Sequence, residues 1–530
     1  MNKILAAIYH HAGATPEKIA LTGHNVQLTY AQLATQINQL ADWLVAQNIG
    51  RAGLWGENSI EWIVADLAAW QANITLVPLP RFFSAAQLQH VITDAQLSGL
   101  LVCGDITPVA EVFDRKNSPL ANIYLDDLAN ASNATAIADI AKITFTSGTT
   151  GSPKGVCLST AALENVTLAL AERIYAAPDA DKKLNCHLNL LPLGTLLENI
   201  AGVYVPLYLG KRIIVVPGTH LGLTGSSRLS LPILLQQLYK YQPNSLIVLP
   251  QILQGIVAAS QQGFIPPASL EFVAVGGAKT SASLIAQARD FNIPVYEGYG
   301  LSECASVLSL NSPLENKIGS VGKPLSHVQV RIENGVIFTR GNAFSGYLNN
   351  QHENNEWVNT GDLGYLDSDG FLFITGREKN CLISSFGRNI SPEWIEAELT
   401  LSPAVEQVMV VGDAQPFCSA IIVPRATSSS EQLRAEITRI NKTLPDYAQV
   451  KKFIIAREAF TPVNQLLTDN GRLRRTAIQA VYAELINTVY STASELSTSA
   501  LSISELSTSD ASTSYPSTSS TTAGAIHELF

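Results

Sequence analysis

Helical and strand-like patterns alternate along about residues 28–300, and this alternation restricts the possible folds of the chain more than any other feature. Apolar residues recur at helical spacing at Leu33, Ile37, Leu40 and Leu44, and helix patterns also cover 231–241 and 281–291. Short apolar runs that indicate buried strands lie at 74–80, 212–217, 245–250, 270–277 and 293–300. Because such alternation is typical of parallel sheets covered by helices, the sequence predicts an α/β fold.

The pattern changes near residue 321, which indicates the end of the α/β region. Short alternating runs with Gly, Asn and Asp turns follow to about 375 and predict antiparallel strands that close a large domain. Beyond them, strand patterns at 405–413, 417–425 and 450–457 flank a helix near 430–443. We therefore expect a large multi-sheet α/β domain at 1–376 and a small α+β domain at 377–486.

The last segment, 487–530, differs in composition. SELSTSA at 494–500 recurs as SELSTSD at 504–510 within a Ser/Thr-rich stretch. Such a segment buries little apolar surface, so the sequence predicts a solvated, disordered tail. Its apolar end, AIHELF, leaves docking onto the protein open as the alternative.

Composition and charge exclude several classes of function. The chain has 530 residues, of which 46% are hydrophobic and 15% charged, and a net charge of −10. This length favours more than one domain. Since no Lys/Arg block or basic-aromatic stripe occurs, nucleic acid is not an expected partner. The acidic balance fits a cytosolic enzyme.

The cysteines and the apolar runs indicate the compartment. Six cysteines, at 103, 157, 186, 304, 381 and 418, lack CxxC or Cys/His ligand spacing, so we expect reduced thiols and no metal cage. No apolar run reaches the about 20 residues that a membrane helix needs, and the N-terminus lacks a signal-peptide core. The expected location is the cytoplasm, with peripheral membrane contact left open.

A run of glycines, hydroxyls and one lysine, TSGTTGSPKG, covers Thr146–Gly155 and follows a short strand pattern at 143–145. Gly148 and Gly151 allow the backbone to turn its N–H groups toward an anion. Hydroxyl donors come from Thr146, Ser147, Thr149 and Thr150, and Lys154 adds a mobile positive charge. The spacing differs from that of the Walker-type P-loop. We expect a polyphosphate site, against the alternative of an ordinary surface loop.

Four further segments follow in a fixed order: GGAKTS at 276–281, YEGYGLSE at 296–303, NTGDLGYLDSDGFLFITGREKN at 359–380 and NGRLRR at 470–475. With these motifs, about residues 20–480 resemble the adenylate-forming superfamily of acyl-CoA synthetases, carrier-loading adenylation domains and luciferases. The resemblance implies a large α/β domain, a small α+β domain and an active site in the cleft between them. It also implies attack of a carboxylate on the α-phosphorus of ATP.

The resemblance implies roles for motif residues in the large domain. The Thr146–Lys154 loop would hold the β- and γ-phosphates, Tyr299 would stack on adenine, and Ser302 would donate to the α-phosphate. Glu303 would hold Mg²⁺, which prefers oxygen ligands. Asp362 would accept both ribose hydroxyls. The backbone at Gly276, Gly277 and Ala278 would lie close to the adenine and the acyl group.

The resemblance also implies roles near and beyond the domain boundary. Arg377 would reach the ribose or phosphate, Lys379 marks a hinge, and Gly387 would line the approach of the pantetheine arm. The GRN tripeptide at 387–389 is most similar to that of fatty-acyl-activating members.

Two positions depart from the family pattern. Arg472 stands where the family carries a catalytic lysine, and Arg474 and Arg475 follow as alternative cations. Arginine keeps the charge, but its planar guanidinium does not replace a compact ammonium. Thr195 replaces a histidine or aromatic residue after Pro192-Leu193, where we expect an effect on substrate fit.

These features together predict an acid–thiol ligase, an AMP-forming acyl-CoA synthetase that acts on a medium- or long-chain fatty acid. The expected cofactors are ATP, Mg²⁺ and coenzyme A. Two alternatives stay open. The acyl group could instead pass to the phosphopantetheine of an acyl carrier protein, or the chain could be a non-catalytic acyl- or nucleotide-binding relative.

Overall fold

The computed structural model describes residues 2–104, 112–128, 135–146, 153–224, 228–341, 344–349, 357–468, 471–498 and 526–528. Only the backbone is described at 112–113, 224, 228, 491–498 and 526–528. Two compact units divide the chain, Met1–Ile374 and Thr375–Phe530. The sequence placed this boundary two residues later, between 376 and 377.

The strands of the first unit are, in chain order, β1 (Ile19–Thr22), β2 (Gln27–Thr29), β3 (Arg51–Gly56), β4 (Thr75–Leu79), β5 (Gly99–Cys103), β6 (Val112–Asn117), β7 (Ile123–Leu128), β8 (Ile140–Thr146), β9 (Lys154–Ser159), β10 (Cys186–Leu188), β11 (Arg212–Ile214), β12 (Leu223–Thr224), β13 (Arg228–Leu229), β14 (Ser245–Val248), β15 (Phe272–Val275), β16 (Val295–Tyr299), β17 (Ser309–Leu310), β18 (Lys323–Pro324), β19 (Gln329–Glu333), β20 (Val336–Arg340), β21 (Gly346–Tyr347), β22 (Val358–Leu366) and β23 (Leu372–Arg377), which ends in the second unit.

Two large sheets dominate the first unit. Sheet A has the strand order β18-β17-β16-β15-β14-β10-β11-β1-β2, and sheet B has the order β21-β9-β8-β4-β3-β5-β7-β6. Their central strands are parallel, as predicted. Antiparallel strands extend both edges, which the sequence analysis did not foresee. Two of these pairs, β1-β2 and β8-β9, are joined by short connections, which antiparallel neighbours allow and parallel neighbours do not. Others, β5-β7 and β21-β9, join strands that are not consecutive, and a local pattern gives no sign of such a pairing. A smaller sheet, β19-β20-β22-β23, includes the antiparallel pairs expected after residue 321.

The α-helices of the first unit are α1 (Lys3–Ala14), α2 (Tyr30–Ala46), α3 (Ile60–Gln71), α4 (Ala85–Asp94), α5 (Thr160–Tyr175), α6 (Ala180–Lys183), α7 (Leu196–Asn199), α8 (Val205–Tyr208), α9 (Leu231–Tyr241), α10 (Pro250–Gln261) and α11 (Ala282–Asp290). A π-helical turn, Ile200–Tyr204, joins α7 to α8.

Helix α2 illustrates how the sequence pattern becomes core packing. Its N-terminus is fixed by a capping box between Thr29 and Gln32. The four leucine and isoleucine side chains predicted at helical spacing are all fully buried. They belong to an apolar cluster that joins α1, α2, α3 and α5 to both large sheets, while a second cluster with α4 covers the other face of sheet B.

The second unit contains β24 (Leu382–Ile383), β25 (Asn389–Ile390), β26 (Val405–Val411), β27 (Cys418–Pro424), β28 (Val450–Ile455) and β29 (Ile526–Glu528), with α12 (Pro392–Leu399), α13 (Ser430–Asn441), α14 (Arg475–Val481) and α15 (Ala483–Thr498). Its main sheet has the order β26-β27-β28-β29. Successive residues of β26 enter different cores: Val408 and Val410 pack in one cluster, and Met409 and Val411 in the other. This alternation follows from the two-residue period of a strand.

The predicted start of the tail at residue 487 is wrong. Helix α15 continues to Thr498, and Val489 and Tyr490 are buried in the second core of this unit. The Tyr490 hydroxyl donates to the carbonyls of Val411 and Phe417. Near the end of the chain, β29 pairs antiparallel with β28, so the AIHELF segment does contribute a strand. The sequence analysis relied on the local Ser/Thr content, which gives no sign of the packing of α15 or of the pairing of β29.

All six cysteines are free thiols, and five of them are buried, as predicted for Cys103, Cys157 and Cys418. Among the helices in the described ranges, none has the length and apolarity to cross a membrane.

Candidate active site

The Thr146–Lys154 loop connects the antiparallel strands β8 and β9. Thr146 lies directly opposite Lys154 at the end of this hairpin, and Lys154 is exposed. The predicted phosphate-binding residues Ser147, Gly148, Thr149, Thr150 and Gly151 lie outside the described residues. The two ends of the loop are therefore fixed by strand pairing.

The segment Gly276–Ala278 follows the carboxyl end of β15, where it meets the neighbouring strand β16. Val275 pairs with Glu297 across the two parallel strands. A Cβ atom on Gly276 would lie 3.2 Å from the carbonyl oxygen of Gly298, and Gly277 has a φ of 82°. Glycine is therefore suited to both positions. The two predicted nucleotide motifs lie side by side at the carboxyl ends of β15 and β16.

Tyr299 is the last residue of β16, and Ser302 and Glu303 lie on the tight turn that follows the strand. Ser302–Cys304 form a 3₁₀ turn, and a Cβ on Gly300 would lie only 1.6 Å from the carbonyl oxygen of Ser306. Only glycine fits at position 300, because the backbone itself occupies the space of a side chain. This close approach presents Ser302 and Glu303 beside the strand end.

Asp362 on β22 meets Tyr299 from the first predicted motif. The Tyr299 hydroxyl donates to Asp362 Oδ2 at 2.5 Å, and Asp362 is only 3% exposed. Its backbone N–H donates to the Thr360 hydroxyl. Residues that are 63 positions apart in the sequence thus form one hydrogen-bonded pair.

Tyr347 contacts two further charged residues of the predicted site, Glu303 and Lys154. Its hydroxyl donates to Glu303 Oε1 at 2.9 Å, and the Lys154 ammonium lies 5.4 Å from the centre of its ring. Sequence analysis missed Tyr347, because its only local signal is an aromatic residue in a short Gly-Tyr-Leu run that follows no recognised motif.

Glu297 is a second residue that sequence analysis missed. It lies on β16, is 3% exposed, and its Oε2 atom has no hydrogen-bond partner in the described part of the chain. Burial raises the pKa of Glu297 to about 7, although Lys279 and Thr280 partly oppose this change. A carboxyl group with a pKa near neutrality thus lies two residues before Tyr299, on the residue paired with Val275, which precedes the glycine segment.

The predicted site residues Arg377, Gly387 and Arg472 lie in the second unit, and all three are exposed. Gly387 has a φ of 72°, which favours glycine. Arg475, in contrast, forms a two-pronged ion pair with the carboxylate of buried Glu396, at 2.8 and 2.5 Å. Arg475 therefore serves the packing of this unit and is excluded as an alternative catalytic cation.

Thr195 lies immediately before α7 and donates its hydroxyl to the Pro192 carbonyl at 2.6 Å. The preceding loop is held by Asn58, which accepts from the Leu193 N–H and donates to the Leu191 carbonyl. Thr195 therefore occupies a loop of fixed backbone, and its own hydroxyl is used locally.

The donor set fits the expected magnesium ion. Within the described ranges, no group of three or more His, Cys, Asp or Glu side chains forms a metal cage. Mg²⁺ bound to a nucleotide needs only one or two carboxylates, since phosphate oxygens and water complete its shell. Glu303, with one oxygen already fixed by Tyr347, suits such a site.

Comparison with known proteins agrees with this geometry. Residues 8–348 match the family model of the AMP-binding enzyme, and residues 379–494 match that of the AMP-binding enzyme C-terminal domain. A long-chain-fatty-acid–CoA ligase of Mycobacterium bovis is 24% identical, over 92% of this chain and 97% of its own length. A 2-succinylbenzoate–CoA ligase of Bacillus velezensis is 28% identical, over 81% and 90%.

Solved structures of acyl-CoA synthetases share the fold. The o-succinylbenzoate CoA synthetase of Bacillus subtilis, solved with its acyl-adenylate intermediate, aligns with a TM-score of 0.73 at 23% identity, covering 90% of this chain and 98% of that one. The same enzyme solved with ATP and magnesium aligns with a TM-score of 0.70 at 23% identity, over 89% and 98%. The chain therefore belongs to the AMP-binding enzyme family, and its predicted membership of the adenylate-forming superfamily is confirmed.

Proposed function

We propose that this protein is an AMP-forming acyl-CoA ligase. It joins ATP and a carboxylic acid into an acyl-adenylate with release of pyrophosphate, and then transfers the acyl group to the thiol of coenzyme A. The observation that carries the proposal is the convergence, in one unit, of Lys154 and Glu303 on Tyr347 and of Tyr299 on Asp362. The names of the relatives support the same reaction class.

The site residues of the first unit have the following proposed roles. The buried Asp362 carboxylate accepts the ribose hydroxyls, and Tyr299, held by Asp362, stacks on the adenine. Ser302 donates to the α-phosphate, and Lys154 contacts the β- and γ-phosphates. Glu303 holds Mg²⁺, which when bound neutralises charge on the phosphate oxygens.

The second unit contributes the remaining cations and the route for the thiol. Arg377 contacts the ribose or phosphate, and Arg472 stabilises the forming acyl-phosphate bond in place of the usual lysine. Gly387, which carries no side chain, leaves room for the pantetheine arm. These three exposed positions lie on the unit that the family moves between the two half-reactions.

A medium- or long-chain fatty acid is the substrate that we propose first. The GRN segment at 387–389 and the fatty-acid ligase relative that spans 92% of this chain support it. A second candidate is an aromatic acid of the succinylbenzoate type, which the 28% identical relative favours. Location in the cytoplasm belongs to the same proposal.

A panel of carboxylic acids tests the function directly. We expect ATP–pyrophosphate exchange with fatty acids of medium or long chain, and an acyl-CoA product after addition of CoA. Exchange only with 2-succinylbenzoate would favour the second substrate. Exchange without a CoA product would favour a carrier-protein acceptor, and no exchange with any acid would favour a non-catalytic binding protein.

A further inference from the structure

A short strand, β21, connects the hairpin that carries Lys154 to the turn that carries Glu303. Tyr347 lies opposite Val156 on β9, and the Leu348 N–H donates to the Gly155 carbonyl at 2.7 Å. On its other side, the Phe344 N–H donates to the Glu303 carbonyl at 2.8 Å. The backbone on either side of Tyr347 is thus fixed to both functional segments.

The Tyr347 side chain contacts both charged groups at once. Its hydroxyl donates to Glu303 Oε1 at 2.9 Å, and the Lys154 ammonium lies 5.4 Å from its ring centre. A phenol ionises only at about pH 10, so the Tyr347 hydroxyl is a hydrogen-bond donor at neutral pH.

Lys154 and Glu303 carry opposite charges, and both contact the Tyr347 side chain, one at the ring and one at the hydroxyl. If they paired directly, each would satisfy the other, and both would be turned away from phosphate and metal. The ring gives the ammonium a weak partner that brings no negative charge. The hydroxyl occupies one carboxylate oxygen and leaves the other available to a cation.

We propose that Tyr347 is a positioning residue that keeps Lys154 and Glu303 apart and ready for a magnesium–nucleotide complex. The inference rests on the proposed function, because it assigns Glu303 to the metal and Lys154 to the phosphates. It adds a residue that touches neither ligand and acts through the two side chains that do.

The chain supplies a closely matched control in Tyr175. Its hydroxyl donates to the Leu184 carbonyl at 3.0 Å, and the Lys211 ammonium lies 5.6 Å from its ring centre. Tyr175 thus also has a neighbouring ammonium and donates its hydroxyl, here to a backbone carbonyl, but at residues that belong to none of the nucleotide motifs. Substitution of Tyr175 measures the general effect of losing such a tyrosine.

Calorimetric titration of ATP, with Mg²⁺ and with a chelator, tests the proposal without measuring turnover. In Tyr347→Phe we expect affinity for ATP with Mg²⁺ to fall by about tenfold, the effect of one hydrogen bond to a charged group, and affinity without Mg²⁺ to stay at the parental value. Tyr347→Leu also removes the ring, so we expect weaker binding under both conditions. Tyr175→Phe should match the parent in both.

The outcomes separate the inference from the function on which it rests. A parent protein that binds no ATP under either condition would overturn the proposed function and this inference with it. If the parent gains affinity with Mg²⁺ and Tyr347→Phe gains just as much, Tyr347 does not position Glu303. An equal loss in Tyr175→Phe would also overturn the inference. Thermal denaturation of each variant confirms that the folded fraction is unchanged.

Discussion

At the scale of single residues, the arginines near position 472 show how one basic cluster divides into different roles. Arg475 is tied to buried Glu396 by two hydrogen bonds, whereas Arg472 is exposed. Burial raises the pKa of Glu396, and the Arg475 charge partly offsets this. Arg472 therefore stays the candidate for the catalytic cation, and Arg475 stabilises the fold.

Replacement of Arg472 by alanine should slow acyl-adenylate formation by about 10²-fold or more, the effect of one removed electrostatic donor. Thioester formation from pre-made acyl-adenylate should be nearly unchanged, and Arg472→Lys should keep or raise activity. Single-turnover kinetics of each half-reaction measure both steps. Arg475→Ala is the control, with an expected loss of about 3–5 kcal/mol in stability because Glu396 is left buried and unpaired. A parental adenylation rate in Arg472→Ala would instead favour Arg474 or no cation.

Glu297 should make the stability of the first unit depend on pH. Its pKa is raised by burial from 4.5 to about 7, so the folded state holds a proton that the unfolded chain releases across this window. The free energy of unfolding should therefore fall by about 3 kcal/mol as pH rises from about 4.5 to about 7. In Glu297→Gln this part of the fall should disappear. Urea unfolding of parent and variant at both ends of the window measures it. An equal fall in the free energy of unfolding with pH in the two proteins would contradict the assignment.

At the scale of elements, a buried ionic cluster supports the strand that leads into the phosphate hairpin. Lys142 on β8 donates to Asp66 on α3, to Asn199 on α7 and to the Tyr204 hydroxyl, and Tyr204 donates to Asp66. Burial lowers the pKa of Lys142, and Asp66 partly restores it. The cluster ties β8 to α3, to α7 and to the π-helical turn that follows α7. The tie lies a few residues before Thr146.

Removal of one charge from this cluster should cost more than removal of both. In Lys142→Met the Asp66 carboxylate stays buried without its cation, and we expect a loss of about 3–5 kcal/mol in the free energy of unfolding. The double variant Asp66→Leu with Lys142→Met should recover part of that loss. Denaturant titrations of both single variants and the double variant give the coupling energy. Additive effects would show that the two residues do not act as a pair.

Helix α15 gives the second prediction at this scale. Deletion of 488–530 removes the buried side chains of Val489 and Tyr490, so we expect a loss of about 3–5 kcal/mol, as for other large buried side chains. Deletion of 499–530 keeps both and removes only β29 and the Ser/Thr-rich stretch, so adenylation should be unchanged. Thermal denaturation and pyrophosphate exchange compare the two truncations. Equal stability of both would show that residues 488–498 add nothing to the core.

At the scale of the whole molecule, the two compact units divide the predicted site unequally. Thr146, Lys154, Glu303 and Asp362 belong to Met1–Ile374, whereas Arg472 belongs to Thr375–Phe530. Most of the nucleotide contacts that we propose therefore come from the first unit.

ATP with Mg²⁺ should raise the unfolding temperature of the first unit more than that of the second. Ligand at 100 times its dissociation constant adds about 2.7 kcal/mol to the state that binds it. Calorimetry, with limited proteolysis to assign each transition, measures the two shifts. Asp362→Ala should lose most of the stabilisation while staying folded. A ligand shift confined to the second unit would place the nucleotide elsewhere.

The sequence by itself determined the local patterns and the order of the motifs. Helix α2 and the parallel strands followed from residue spacing, because periodicity is a property of neighbouring residues. The family followed from the resemblance of the motifs and of their order along the chain. Only the tertiary structure decided which distant residues meet. Tyr347 between Lys154 and Glu303, the burial of Glu297 and the pairing of Arg475 with Glu396 all depend on strand order and packing. The tail boundary failed for the same reason, since the Tyr490 hydroxyl donates to the carbonyls of Val411 and Phe417, 79 and 73 positions earlier in the chain.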